Sequence, residues 1–322
     1  MGFHYGLDAS EKMRGFLESP AKGFVLRIRT PGKIAEGLWC LGRKEACVYL
    51  LEGKEESMFI NAGTVDLIPL LLGQFREFGI DEARITRLLV LHSHYDHVGT
   101  APFFKRRNEN LTLYASARGW RILGMRKVLA AINEAGRQAA TRMGMETLYS
   151  DYQVAWGEDV AGEALSDGDR LGVEPFEGVI VETPGHSICS ISYYVPALKA
   201  LFPSDAGGIP YGDTILASGN ANFTQYEKSL QLLKNLDVDY LCADHYGYIS
   251  GSEAKTYILE SIEAARKRRA EFLEVYGQTK DIEEATRSLV KTFYESRPDY
   301  FLSPEILTGI FRQMVRHMVR HV

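Results

Sequence analysis

His92-Ser93-His94-Tyr95-Asp96-His97 places three imidazoles and a carboxylate within six residues. Imidazole with carboxylate suits zinc and other first-row divalent ions, so the chemistry on offer is metal binding. The chain holds only 8 histidines in 322 residues, so this density is not what composition alone supplies. The apolar run Leu88-Leu89-Val90-Leu91 stands directly before the window. A buried strand is therefore predicted to end in the cluster, where a turn lets successive side chains converge from different directions. The plainer reading, histidines capping a strand end at the surface, does not require such a concentration. The spacing lacks the Cys or widely separated His pairs of a zinc finger. It also lacks the His-Glu-x-x-His pattern of helical zinc proteases.

Three later segments repeat the design of an apolar strand running into a ligand-type residue. Val179-Ile180-Val181 leads to Pro184-Gly185-His186, Leu201-Phe202 to Ser204-Asp205, and Tyr240-Leu241-Cys242 to Asp244-His245. Alone, His186 or His245 reads as a structural histidine and Asp205 as a turn residue. As an ordered set following H-x-H-x-D-H, they resemble the signature of the metallo-β-lactamase superfamily over roughly residues 33–250. The resemblance implies an α+β fold, an αββα sandwich, here with a helical insertion and a C-terminal helical extension. It implies that His92, His94 and His186 hold one divalent ion and that Asp96, His97 and His245 hold a second. Asp205 would be shared by both, with Asp96 and Asp205 as the catalytic carboxylates. Zinc is the first expectation for the two ions, and iron or manganese is compatible with the same donors. The activity implied is hydrolysis of a thioester, such as an acyl-CoA, or of an ester, by a hydroxide bridging the two metals. Tyr95, Tyr246 and Tyr248 are candidate oxyanion donors, although with 17 tyrosines in the chain each also reads as structural.

The pattern departs from the family in three places. The usual Asp-x-Gly appears as Asn61-Ala62-Gly63, which predicts a weakened outer shell around a ligand. Ser204 replaces the glycine common before the shared aspartate. Ala243-Asp244-His245-Tyr246 replaces Pro-Gly-His-Gly, and Asp244 is a candidate orienting partner.

The elements around these motifs are read from periodicity and breakers. Short strands are expected at Phe24–Arg29, Ile34–Leu41, Cys47–Leu51 and Met58–Ile60 after an irregular lead-in over residues 1–23. Helices are expected over 65–78 and 99–107, with a strand at 111–115. The interval from His97 to His186 is long for the superfamily core. Its surplus, about 119–157, is read as a helical lid over the site, rich in Met125, Met143 and Met145, or as helices merely packed on the sandwich. A lid of that kind implies an apolar or aromatic substrate portion. The catalytic domain is placed at 1–251 and the helical extension at 252–322. The extension comprises a helix from Ser252 to about Tyr276, a second over Ile282–Tyr294, and a third capped by Ser303-Pro304-Glu305. An apolar stripe runs from Ile306 to Val319, expected to pack on the main domain or, alternatively, in a homodimer. This layout resembles thioesterase-type, quinolone-signal-response members of the superfamily more than hydroxyacylglutathione hydrolases.

Composition narrows the alternatives. Apolar residues make up 45%, enough for a large core. A net charge of −5 argues against a nucleic-acid partner, and no apolar run is long enough for a membrane span. The first residues show no signal pattern or myristoylation site, and the four cysteines are scattered, so a reduced, cytoplasmic setting is expected. Arg266-Lys267-Arg268-Arg269 reads as a solvated helix face or as an anion-binding edge. Lactone hydrolysis, iron-dependent oxygen or sulfur chemistry, and a ligand-responsive regulatory role stay open beside thioester hydrolysis.

Overall fold

The computed structural model describes residues 30–320. The lead-in, the N-terminal targeting features and the expected strand Phe24–Arg29 lie outside the described residues. The chain opens on a meander, β1 (Gly32–Ala35), β2 (Leu38–Arg43), β3 (Ala46–Glu52) and β4 (Ser57–Ile60), with antiparallel pairing throughout. The single strand expected at Ile34–Leu41 is two strands. Gly37, at φ 70°, turns the chain between them, and a Cβ there would lie 2.2 Å from the Phe176 ring. Helix α1 (Ile68–Phe78), with Pro69 in its first turn, leads to β5 (Ile85–Leu89), which pairs parallel to β4. Two short helices follow, α2 (Tyr95–Val98) and α3 (Ala101–Arg107), then the parallel strand β6 (Thr112–Ser116). The surplus segment forms α4 (Ala117–Leu123), α5 (Arg126–Arg142) and α6 (Leu148–Tyr152) before β7 (Glu163–Leu165) completes the first sheet.

The second sheet contains β8 (Arg170–Val173), β9 (Phe176–Glu182), β10 (Ile191–Val195) and β11 (Ala200–Phe202). A separate hairpin, β12 (Ile209–Tyr211) with β13 (Thr214–Leu216), and helix α7 (Phe223–Leu233) come next. Strands β14 (Tyr240–Cys242) and β15 (Tyr248–Ser250) then join the sheet beyond β11. The chain ends in α8 (Ser252–Thr279), α9 (Ile282–Ser296) and α10 (Pro304–Val319). Helix α8 runs past Gly277 and ends at Lys280, which is left-handed at φ 54°.

Period-two alternation explains the layers, because successive strand residues point to opposite faces. From β3, Tyr49 and Leu51 enter the space between the sheets, while Val48 and Leu50 face the outer helices. From β4 and β5, Met58, Ile60 and Leu89 point inward, while Phe59 and Leu88 point outward. Both faces are buried, so these strands read as continuous apolar runs. Tyr49 and Tyr193 are tolerated in the central layer because their hydroxyls donate to Ala243 O at 2.6 Å and Leu171 O at 2.8 Å. The outer face of the first sheet packs on α1, α3 and the insertion. The outer face of the second packs on α7 and the three C-terminal helices. The fold is therefore the expected αββα sandwich with a helical insertion and a C-terminal helical extension. The stripe Leu307, Phe311, Met314, Val315 and Met318 is buried within the chain itself.

Candidate metal centre

The turns after β5, β9, β11 and β14 meet at one edge of the sandwich. His92 and His94 follow β5, and Asp96 and His97 sit in α2 immediately beyond. His186 follows β9, held by Gly185 at φ 139°. A Cβ on Gly185 would lie 2.2 Å from the Tyr226 backbone nitrogen. Asp205 follows β11, whose parallel pairing with β14 brings His245 to the same edge. All seven candidates converge there. His92 Nε2 and His186 Nε2 lie 3.1 and 3.0 Å from His94 Nδ1. His97 Nε2 and His245 Nε2 lie 3.7 and 3.9 Å from Asp96 Oδ2. Asp205 stands between the two groups. Its Oδ2 is 3.3 Å from His186 Nε2 and 3.6 Å from His97 Nε2, and its Oδ1 is 3.5 Å from His245 Nε2.

The outward ring nitrogens fix which nitrogen of each imidazole is free. His186 Nδ1 can only donate to the carbonyl of Ser218, at 2.8 Å, and His245 Nδ1 to that of Glu45, at 2.6 Å. His97 Nδ1 donates to Asp244 Oδ2 at 3.0 Å. The Ser204 hydroxyl donates to the same carboxylate oxygen in a short bond, so His92 Nδ1 donates to Ser204 Oγ at 3.0 Å. Four Nε2 atoms thus aim inward, each oriented by an acceptor behind it, the arrangement that tunes metal ligands. His92, His97 and Asp244 also lie close together. However, His92 Nδ1 and His97 Nδ1 are spent there on hydrogen bonds, so Asp244 orients these two imidazoles and is not itself a ligand candidate.

Electrostatics divides the cluster. Burial, then the neighbouring imidazoles, holds His92 well below the ordinary imidazole range and His94 at about 3. Burial also lowers His186, despite Asp205. For His97 and His245 burial pulls the same way, but Asp96 and Asp205 outweigh it. His97 rises well above its ordinary value and His245 rises to about 9. Burial would raise Asp205, yet His245, His97 and His186 hold it well below the carboxylate range. The Nε2 atoms of His97 and His245 are buried with no hydrogen-bond partner among the described residues. A buried polar atom in that state is costly, and a coordinated cation satisfies it. The donor set therefore fits divalent metal ions.

The departures acquire physical roles. Asn61, left-handed at φ 70°, donates through Nδ2 to Cys47 O at 2.9 Å and accepts from Ala62 N at 2.7 Å. It shapes the turn after β4 and bonds to no imidazole among the described residues, so the carboxylate that orients His97 is Asp244. Ser204 and Tyr246 keep positive φ, 49° and 65°, where glycine is usual. Such backbones cost of order 1–3 kcal/mol, and the Ser204 hydroxyl offsets this by bridging His92 to Asp244.

A cavity of about 720 Å³ opens from the cluster. Val128, Ala131, Ile132 and Ala135 of α5, spaced on one helical face, form one wall. Phe301, Ile310 and Met314 form the opposite wall. Residues of the surplus helices line the cavity, but the three methionines expected there are not among them. Met125 and Met143 are 46% and 48% exposed because they cap the two ends of α5 and lie outside its helical turns. Of the three candidate tyrosines, Tyr95 lines the cavity, whereas Tyr246 packs on Tyr211 and Tyr248 against the central layer. Sequence reasoning missed Tyr300 and Phe301. Phe301 stacks on the His245 ring at 4.9 Å, and the Ser303-Pro304 cap that fixes their turn was the available signal.

The sequence family described as the metallo-beta-lactamase superfamily matches residues 46–245. A metallo-beta-lactamase family protein from Thermus thermophilus superposes with TM-score 0.65 at 19% identity, covering 90% of this chain and 95% of that one. A subclass B3 metallo-beta-lactamase from a soil metagenome library superposes with TM-score 0.56 at 18% identity, covering 77% and 98%. A hydroxyacylglutathione hydrolase from Bradyrhizobium sp. (strain ORS 278) is 30% identical over 122 residues, or 38% of this chain. The chain spans 33% of the length of that curated relative. Among the described residues no helix is long and apolar enough to cross a membrane.

Proposed function

The chain belongs to the metallo-β-lactamase superfamily, and on that premise we propose that it is a metal-dependent hydrolase of a thioester with an apolar or aromatic acyl group. The observation that carries this is the convergence of five imidazoles, Asp96 and Asp205 at the floor of a largely apolar cavity. In this reading His92, His94 and His186 would hold one ion, Asp96, His97 and His245 the other, with Asp205 between them. Divalent ions there supply Lewis acidity and lower the pKa of water; zinc is the first expectation, with iron or manganese compatible with the same donors. The rest falls to this chain's own groups. Asp96 faces the cavity and is placed to accept a hydrogen bond from the attacking water. Burial raises the Tyr95 phenol, so it stays protonated at neutral pH and can donate to a developing oxyanion. The walls of α5 and α10 exclude bulk water and seat the acyl group.

The relative named hydroxyacylglutathione hydrolase supports a thioester over an oxygen ester. A lactone or other ester fits the same floor and walls, and a matched panel separates them. Thiol release from thioesters and proton release from esters are to be compared in metal-replete and chelator-stripped protein. The proposal expects thioester turnover that stripping abolishes. Metal-replete protein that turns over no thioester and no ester overturns it.

A further inference from the structure

The basic run in α8 does not act as one face. Arg266 and Lys267 are 69% and 77% exposed beside Glu263, and Arg269 clamps Glu227 through two hydrogen bonds. Arg268 turns inward, 12% exposed, and lines the same cavity as the metal-ligand cluster. Its guanidinium lies over the rings of Phe272 and Phe311, at 5.5 Å each, and Phe293, at 6.0 Å. Glu271 accepts from Nη1 at 3.1 Å and is 43% exposed. It is the only hydrogen-bond acceptor of Arg268 among the described residues. A guanidinium carries five donors, so most of this buried fork is uncommitted. Burial lowers its pKa, Glu271 only partly countering, and Arg297 adds repulsion. From Arg268 an aromatic wall leads to the cluster, Phe293 to Tyr300 at 5.0 Å, Tyr300 to Phe301 at 4.9 Å, and Phe301 onto His245. Away from the cluster, the charged cavity-lining side chains are Arg268 and Lys127, both positive.

We propose that Arg268 binds a terminal oxyanion, a carboxylate or phosphate, on a ligand whose apolar body lies along this aromatic wall and whose other end reaches the metal-ligand cluster. A guanidinium fork matches either oxyanion, and each such charge-assisted hydrogen bond is stronger than a neutral one. The assignment rests on reading the cavity as an acyl-group site and narrows the substrate to doubly functional acyl chains. Arg268 is a specificity residue and takes no part in bond cleavage.

The test is calorimetric binding to the metal-replete full chain. The probes are straight-chain α,ω-dicarboxylates, monocarboxylates of equal length, and the corresponding ω-phosphate acids. The expected result is a preference of roughly tenfold or more for the doubly charged probe at one chain length. Arg268→Met should abolish this preference and Arg268→Lys should retain part of it. Arg266→Ala and Lys267→Ala should leave it intact. The carboxylate and phosphate arms show which oxyanion the site takes. Unfolding midpoints check that Arg268→Met still folds, and Arg268→Lys serves if it does not. No preference in the native chain, or one that survives Arg268→Met, overturns the proposal. If the preference behaves as expected while no thioester or ester is hydrolysed, the oxyanion site stands and the hydrolytic reading falls.

Discussion

Replacing Asp244 with Asn isolates the orienting shell from the ligands themselves. One oxygen of this buried carboxylate accepts from His97 Nδ1 and from the Ser204 hydroxyl, which in turn fixes His92. In the proposed assignment the two imidazoles serve different ion positions, so one side chain would orient both halves. The other oxygen, Oδ1, is buried without a partner among the described residues. An Asn in the same rotamer can keep both acceptor bonds on its carbonyl, while its amide takes the partnerless position. What changes is the charge behind His97, plus an unsatisfied amide that costs about 1–3 kcal/mol of folding stability. Losing an outer-shell carboxylate costs about 10- to 100-fold in metal affinity, equivalent to roughly 1.4–2.7 kcal/mol. The assay is competition against a chromophoric chelator at neutral pH, with thermal unfolding of the stripped proteins alongside. Unchanged metal affinity in Asp244→Asn would refute the argument that this carboxylate tunes the centre. Ser204→Gly removes the relay but relaxes a left-handed backbone. It should lower affinity by a smaller factor at little cost in stability.

Asn61→Asp, which restores the more usual family residue, should not tighten metal binding. It removes the donor to Cys47 O and sets a carboxylate against that carbonyl, so a stability loss of about 1–3 kcal/mol is expected in chemical denaturation. Gly185→Ala forces a Cβ onto the Tyr226 backbone at a left-handed φ. It should destabilise the fold by more than about 3 kcal/mol and lower the metal content by misplacing His186, both read on purified protein. The metal-stripped protein should be most stable near pH 6.5, the ordinary imidazole value. His245, raised to about 9, contributes stability below pH 6.5 that is lost as pH climbs through 9. His94, lowered to about 3, contributes above pH 6.5 what is lost as pH falls towards 3. Each limb is worth at most on the order of 3–5 kcal/mol. Unfolding midpoints across pH check this, and His245→Gln should flatten the alkaline limb.

Much of the sandwich was legible because its strands obey local rules. The runs around Leu50, Phe59 and Leu88 are apolar on both faces, and Pro69, Ser303 and Pro304 mark helix starts. The set of seven candidates was legible because each follows such a strand, so a one-dimensional pattern encodes a three-dimensional edge. What could not be read locally depends on tertiary approach. That His97 and Ser204 share Asp244 requires the turns after β11 and β14 to touch α2, which no spacing encodes. The exposure of Met125, three residues before the cavity-facing Val128, turns on where α5 begins, because Met125 caps the helix from outside its first turn. Arg268 looked like its three basic neighbours until the rotation of α8 and the rings of α9 and α10 separated it from them.

Counting the ions bound per chain tests the central claim most directly. Stripped protein is to be titrated with zinc, and separately with iron and manganese, followed by removal of free ion and elemental analysis of native protein and of Asp205→Asn. The account predicts two ions per native chain, and no more than one held tightly once the carboxylate between the two groups is neutralised. A native chain that retains one ion or none, or an Asp205→Asn chain that binds two as tightly as the native protein, would contradict it.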